Sequence, residues 1–192
     1  MQVKKDTLRV NIRRCPQQVV NRTIRYLLTS CLGIVRGKAE EALSRIVVLC
    51  KYSGLGENVD TIDVYIASKA LEDVLQTLKH PVEIITAGIH SFRIKKKVLP
   101  LLGFTSIIRR YGLTPMKGYA IVNEKGEKLF LYGRDVFSNN IIELREPGCR
   151  QGYIIVLNMY KEPLGWGKVR RDHDTIYIQN VIDAGWYLRS GV

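Results

Sequence analysis

Gln151-Gly-Tyr-Ile-Ile-Val-Leu-Asn-Met159, Leu164-Gly-Trp-Gly-Lys-Val-Arg-Arg171 and Thr175-Ile-Tyr-Ile-Gln-Asn-Val181 are three short runs rich in branched and aromatic residues. Runs of this length and composition read as β-strands. Upstream, Gly118 to Val122 and Glu127 to Leu131 flank Asn123-Glu-Lys-Gly126, a hairpin signal. Arg134 to Asn139 reads as a short helical stretch, and Glu146-Pro-Gly148 as a turn. Short strands with tight turns predict a small closed or nearly closed barrel.

Ahead of this region the periodicity changes. Thr7 to Ile12 alternates Leu8, Val10 and Ile12 with polar residues, the pattern of a half-buried strand. Pro16 suits a first helical turn, and Val19, Val20, Thr23, Ile24, Leu27, Leu28 and Cys31 recur at helical spacing until Gly33. Arg36 to Leu43 fits either a helix or a loop. Ile46 to Tyr52 and Thr61 to Ala67 read as strands, with Ser53-Gly-Leu-Gly56 as a turn. Ser68 caps a helix through Leu71, Val74, Leu75 and Leu78, which His80-Pro81 ends; Val82 to Thr86 follows as a strand. A further helix has Pro100 in its first turn, with Val98, Leu101, Leu102, Ile108 and Tyr111 on its core face. It stops at Gly112, with a domain boundary near Leu113 to Pro115. Two small α/β domains, 1–112 and 113–192, result.

The chain of 192 residues carries 30 Lys plus Arg against 18 Asp plus Glu, a formal charge of +12. Such an excess draws polyanions, so RNA, DNA, anionic lipid or an acidic protein are the candidate partners. Apolar runs such as Ile46 to Cys50 are strand-sized, far short of the roughly 20 residues that span a bilayer. No secretory core follows Met1, which leads to the expectation of a cytoplasmic protein with reduced thiols. Cys15, Cys31, Cys50 and Cys149 have no Cys-x-x-Cys spacing, so neither a metal nor any other cofactor is expected. The sequence also lacks a phosphate loop, a Gly-x-Ser-x-Gly elbow and a His-Glu-x-x-His motif, and nothing nominates catalytic residues.

Two basic clusters stand out. Between Glu83 and Glu124 there is no acidic residue, while Arg93, Lys95, Lys96 and Lys97 fall close together. That run reads either as a solvated face or as a patch for a partner. Gly165-Trp-Gly167 leads into Lys168, Arg170 and Arg171, and alternation sends Lys168 and Arg170 to one face. The glycines read either as close backbone contacts or as room for a nucleic-acid backbone. Trp166 and Trp186 are read as packing residues before base-stacking ones.

Phe130-Leu-Tyr-Gly133-Arg-Asp-Val136 resembles the Phe-Leu-Tyr-Gly-x-x-Val of the Nip-seven family of ribosome-biogenesis proteins. Gln151-Gly152, Met159 and Pro163-Leu-Gly-Trp-Gly167 follow in that family's order, as do Gln179, Asp183, Gly185, Tyr187 and Arg189, and Ser91-Phe-Arg-Ile94 resembles its Lys-Phe-Arg-Leu segment. The resemblance spans about residues 88 to 192 and points to an archaeal-type member. It implies an α+β fold: a pre-PUA domain with an antiparallel sheet and flanking helices, then a PUA pseudo-barrel. It also implies a non-catalytic, monomeric factor in large-subunit biogenesis and pre-rRNA processing that binds uridine-rich single strands. Partners would be pre-ribosomal proteins or the exosome, in the cytoplasm or, in a eukaryote, the nucleolus. Lys168, Arg170 and Arg171 would hold the RNA, flanked by Arg134 and Arg189, with Arg93 and Lys95 to Lys97 as a second contact. The other reading is an interaction adaptor in an RNA-processing complex.

Overall fold

Strands β1 (Ile12–Arg14), β2 (Val47–Ser53), β3 (Thr61–Ala67), β4 (Ile89–Ile94) and β5 (Val98–Pro100) form one sheet in that order, each antiparallel to its neighbours. The computed structural model describes residues 12–53, 60–77, 86–150, 152–173 and 175–189. The expected start of the first strand before Ile12, the turn at 54–56, the helix end at 78–81, the strand over 82–85 and Gln151 lie outside them.

Alternation along these strands sorts side chains to two faces. Val48, Cys50, Val64, Ile66 and Phe92 turn to the main core. Ile12, Leu49, Tyr65 and Ala67 turn the other way, where Leu71 and Leu75 of helix α3 (Lys69–Thr77) cover them. The Ser68 hydroxyl accepts from the Leu71 amide at 3.3 Å, the cap its position suggests. The main-core face is covered by helix α1, an α turn over Gln17–Val20 continued by wide π turns over Asn21–Arg25 and Leu27–Cys31. Helix α2 (Arg36–Ser44) resolves the helix-or-loop alternative in favour of helix. Helix α4 (Leu102–Arg110) packs Phe104 against Phe92, with ring centroids 4.4 Å apart. Pro100 ends the edge strand β5 and is not in the first turn of α4. An edge position tolerates its missing amide hydrogen, whereas Leu102 can open the helix unhindered.

The second sheet contains β6 (Tyr119–Val122), β7 (Val136–Phe137), β8 (Ile141–Arg145), β9 (Tyr153–Leu157), β10 (Pro163–Asp172) and β11 (Thr175–Asp183), in the order β7-β11-β10-β9-β6-β8. Only the β6–β9 pair is parallel, and the sheet curls into a half-barrel around Ala120, Val122, Phe130, Ile154, Val156 and Ile178. The hairpin expected at Asn123-Glu-Lys-Gly126 is absent. Those residues open helix α5 (Glu124–Leu131), because the Asn123 side chain accepts from the Gly126 amide at 2.8 Å. Glu124 and Glu127 lie at the positive end of the helix, and Phe130 reaches the barrel core fully buried. Replacing Asn123 with Ala is expected to cost about 1 kcal/mol, read as a lower urea midpoint. A midpoint equal to the parent's would show that the cap adds nothing. The helical stretch expected over 134–139 is β7 followed by a 3-10 turn at Ser138–Asn140.

One apolar core crosses the expected boundary at 113–115. Leu28, Leu32 and Phe104 share a cluster with Tyr153, Ile155 and Trp166. The Trp166 indole donates to the Leu101 carbonyl at 3.0 Å and stacks on Phe104. The cysteines correct another expectation: they are not free thiols. Cys15 bonds to Cys50 and Cys31 to Cys149, and the second bridge joins the end of α1 to the loop after β8. This removes the argument from free thiols to a reducing compartment. No described helix is long and apolar enough to cross a membrane.

Candidate nucleic-acid interface

Register decides what β10 presents. Gly167 and Val169 pair with Ile154 and Ile178 and turn towards the half-barrel interior. Trp166 and Lys168, paired with Ile155 and Tyr153, lie on the opposite face. Trp166 is fully buried beneath α4, so its role is packing. Beyond the cover of that helix the same face continues to solvent. There Lys168 pairs with Gln179, Arg170 with Tyr177, and Tyr177 with Phe137. Side chains of paired residues share a face, so Phe137, Tyr177 and Arg170 form one row across β7, β11 and β10. Gln179, Lys168 and Tyr153 form the next row across β11, β10 and β9.

The contacts within these rows are specific. The Phe137 and Tyr177 rings lie 5.5 Å apart, and Phe137 is half exposed. The Arg170 guanidinium donates from Nε to Gln179 Oε1 at 2.9 Å. The Lys168 ammonium sits 4.1 Å from the centre of the Tyr153 ring, within cation–π range. Burial, then the charges of Arg170 and of Lys97, push the Lys168 ammonium below the ordinary lysine value. The influence of Lys97 matters for the geometry: it brings the turn between β4 and β5 to the same cationic field. Of the first basic cluster, Lys97 is the member whose charge acts on Lys168. Positive charges that repel one another across a half-buried surface are relieved when a phosphate arrives.

The remaining sequence-derived candidates occupy different places. Arg171 is exposed on the other face of β10, where its guanidinium pairs with Glu146. Arg134 is exposed just after α5, with no ion pair among the described residues. Arg189, in helix α6 (Trp186–Arg189), grips Asp183 through both carboxylate oxygens at 3.1 and 2.8 Å, and also donates to the Leu131 carbonyl. Asp183 is only 2% exposed, so this arginine neutralises a buried charge and closes the end of the barrel. Arg93 is similarly engaged with Asp63 at 2.7 Å, beside His90 at 3.0 Å. Burial raises the Asp63 carboxyl, but the Arg93 hydrogen bond and the His90 and Arg93 charges outweigh it and hold the group below its usual range. Lys95, Lys96 and Lys97 are exposed in the turn that follows.

Gly165 and Gly167 do not make room for a nucleic-acid backbone. A Cβ on Gly165 would stand 2.1 Å from the Ile182 carbonyl oxygen, and one on Gly167 2.5 Å from an Ile178 methyl. Both glycines serve the close packing of β10 against β11 and the barrel core. Phe137, Tyr177 and Gln179 were not among the expected site residues. Their signal is the alternation of Ile176 and Ile178 with Tyr177 and Gln179, which becomes informative once β11 is paired with β10.

Residues 118–192, the half-barrel, match the UPF0113 PUA domain family. A UPF0113 protein of Archaeoglobus fulgidus is 37% identical over 76 residues, covering 35% of this chain and 43% of that protein. Another from Aeropyrum pernix is 33% identical over 101 residues, covering 53% of this chain and 49% of the relative. The chain thus spans under half the length of either curated relative. Among solved structures, a hypothetical protein from the hyperthermophilic archaeon Pyrococcus horikoshii OT3 superposes with a TM-score of 0.53 at 15% identity, covering 92% of this chain and 98% of that one. A conserved PUA domain protein from Thermoplasma acidophilum gives 0.51 at 12%, covering 93% and 98%. These likenesses extend the agreement in fold to both halves of the molecule.

Proposed function

We propose that this protein binds single-stranded, uridine-rich RNA on the exposed face of β7, β11 and β10, and acts without catalysis as a monomeric large-subunit assembly factor in pre-rRNA processing. The observation that carries the reading is the mixed row Phe137–Tyr177–Arg170, with Lys168 and Gln179 beside it in the next row, where Lys168 lies over the buried Tyr153 ring. Aromatic faces accept unstacked bases whatever their sequence, and interleaved cations hold the phosphates between them. The match to a PUA domain supports an RNA ligand, and Lys95 to Lys97 extend the cationic track beyond the barrel.

Gln179 supplies the argument for uridine. Arg170 occupies its carbonyl oxygen, so the amide presents its NH2 outward. Uracil offers carbonyl oxygens on both sides of N3, whereas cytosine replaces one with an amino group.

Binding of a fluorescent oligouridine to the isolated chain, measured by anisotropy over a range of salt, tests the reading. Each neutralised phosphate of a single strand contributes a log–log slope of roughly −0.7. The Lys168→Ala, Arg170→Ala double variant is therefore expected to flatten the slope by about 1.4, while Arg171→Ala, on the other face, leaves it unchanged. An unaltered slope in the double variant would remove this face as the RNA site. No RNA binding near physiological salt would favour the adaptor reading.

A further inference from the structure

A cavity of about 450 Å³, lined by none of the residues of these rows, lies between helix α4, the connection through Leu113 to Pro115, and strands β6, β8 and β9. Its size and its position between two packed units suit a small-molecule site. Ile108, Leu113, Ile155, Leu157 and Pro163 make its walls apolar. Four charged side chains line it: the Glu162 carboxylate accepts from the Asn158 side-chain amide at 3.2 Å, and the other three select among possible occupants.

The first is Glu143. The Tyr119 hydroxyl donates to its Oε1 at 2.8 Å and Arg145 Nε at 3.0 Å, and both hold the carboxyl below its usual range. Its Oε2 stays an acceptor, which disfavours a purely hydrocarbon occupant and suits a ligand with an N–H donor. The others are Arg109, at the end of α4, and Lys161, neither of which has a salt bridge among the described residues. Lys161 is placed deliberately. Buried Asn158 accepts from the Tyr160 amide at 3.0 Å and the Glu162 amide at 2.9 Å, and its carbonyl accepts from the Lys161 amide at 2.9 Å. This holds Lys161 at φ 62°, a left-handed conformation unusual for a residue with a side chain. The loop thus brings a cation to the lining of the cavity, which Arg109 of α4 also lines.

We propose that this cavity binds a nucleoside monophosphate, with its base between the apolar walls, an N–H edge on Glu143 and its phosphate between Arg109 and Lys161. The ligand is either a free nucleotide or the 5′-phosphorylated end of an RNA. This site is independent of the rows on β7, β11 and β10.

Calorimetric titration of the full chain with 5′-AMP and 5′-UMP tests it, with adenosine and uridine as phosphate-free controls. Saturable binding of a monophosphate at one site is expected, weakened at least tenfold in the Arg109→Ala, Lys161→Ala double variant and unchanged in Arg171→Ala. Both altered residues are exposed, and circular dichroism confirms that the variant is folded. A 5′-phosphorylated oligonucleotide that outbinds its 5′-hydroxyl counterpart, only when Arg109 and Lys161 are present, identifies an RNA end; binding of the free monophosphates alone identifies a free nucleotide. No monophosphate binding at millimolar concentration, nucleosides binding as well as monophosphates, or an unaffected double variant would each overturn the proposal.

Discussion

Replacing Cys31 and Cys149 together with serine is expected to lower the unfolding free energy by about 5 kcal/mol, and reduction of the parent protein, which opens both bridges, to lower it further. The bridge joins residues 118 apart in sequence. Closing so long a loop in the unfolded chain removes conformational freedom that the folded chain never had. The bridged segments also touch through the Gly148 amide, which donates to the Cys31 carbonyl at 3.1 Å, so the native geometry is already prepared. The Cys15–Cys50 bridge spans 35 residues, and its loss is expected to cost about 1 kcal/mol less because loop entropy grows only logarithmically. Urea denaturation of the two double-serine variants measures both effects. A Cys31–Cys149 variant with the parent's midpoint would show that the covalent tie contributes nothing. Reactive thiols in the unreduced, denatured chain would show that it is not formed.

That bridge illustrates which parts of the molecule can be read from sequence. Strand and helix periodicity located most elements, because Val48, Cys50, Val64 and Ile66 alternate against a buried face and Leu27, Leu28 and Cys31 recur at helical spacing. Partners across long separations leave no local mark. Cys31 looked like any small core residue, and only the fold sets it 4.8 Å from Cys149, measured between Cα atoms. Asn123-Glu-Lys-Gly126 failed for the opposite reason. Asn and Gly serve hairpins and helix caps alike, and the packing of Phe130 into the barrel decided for the helix.

The candidate site divides in the same way. Lys168 and Arg170 were legible because alternation puts them on one side of one strand. Arg189 has the same charge and a similarly exposed setting in sequence, yet its carboxylate partner is a buried aspartate that only the closed barrel reveals. Charge says that a residue attracts anions. It does not say which anion already holds it.

The aromatic members of the rows should answer to a different measurement from the cations. Tyr177→Ala and Phe137→Ala are each expected to weaken oligouridine binding by about 1–3 kcal/mol, the range for one stacked base. Neither side chain carries charge, so the salt slope should remain that of the parent, whereas loss of Lys168 and Arg170 flattens it. Phe137 and Tyr177 face away from Val136 and Ile178 in the barrel core, so their removal should spare the fold. The two rings touch, so the double variant should lose less than the sum of the singles. Anisotropy titrations of the parent, both single variants and the double variant, each at several salt concentrations, separate these terms. If Tyr177→Ala binds as tightly as the parent, no base stacks on the row. If it instead flattens the slope as much as losing two cations, the tyrosine acts by positioning Arg170, its cross-strand neighbour, and the face grips phosphates alone.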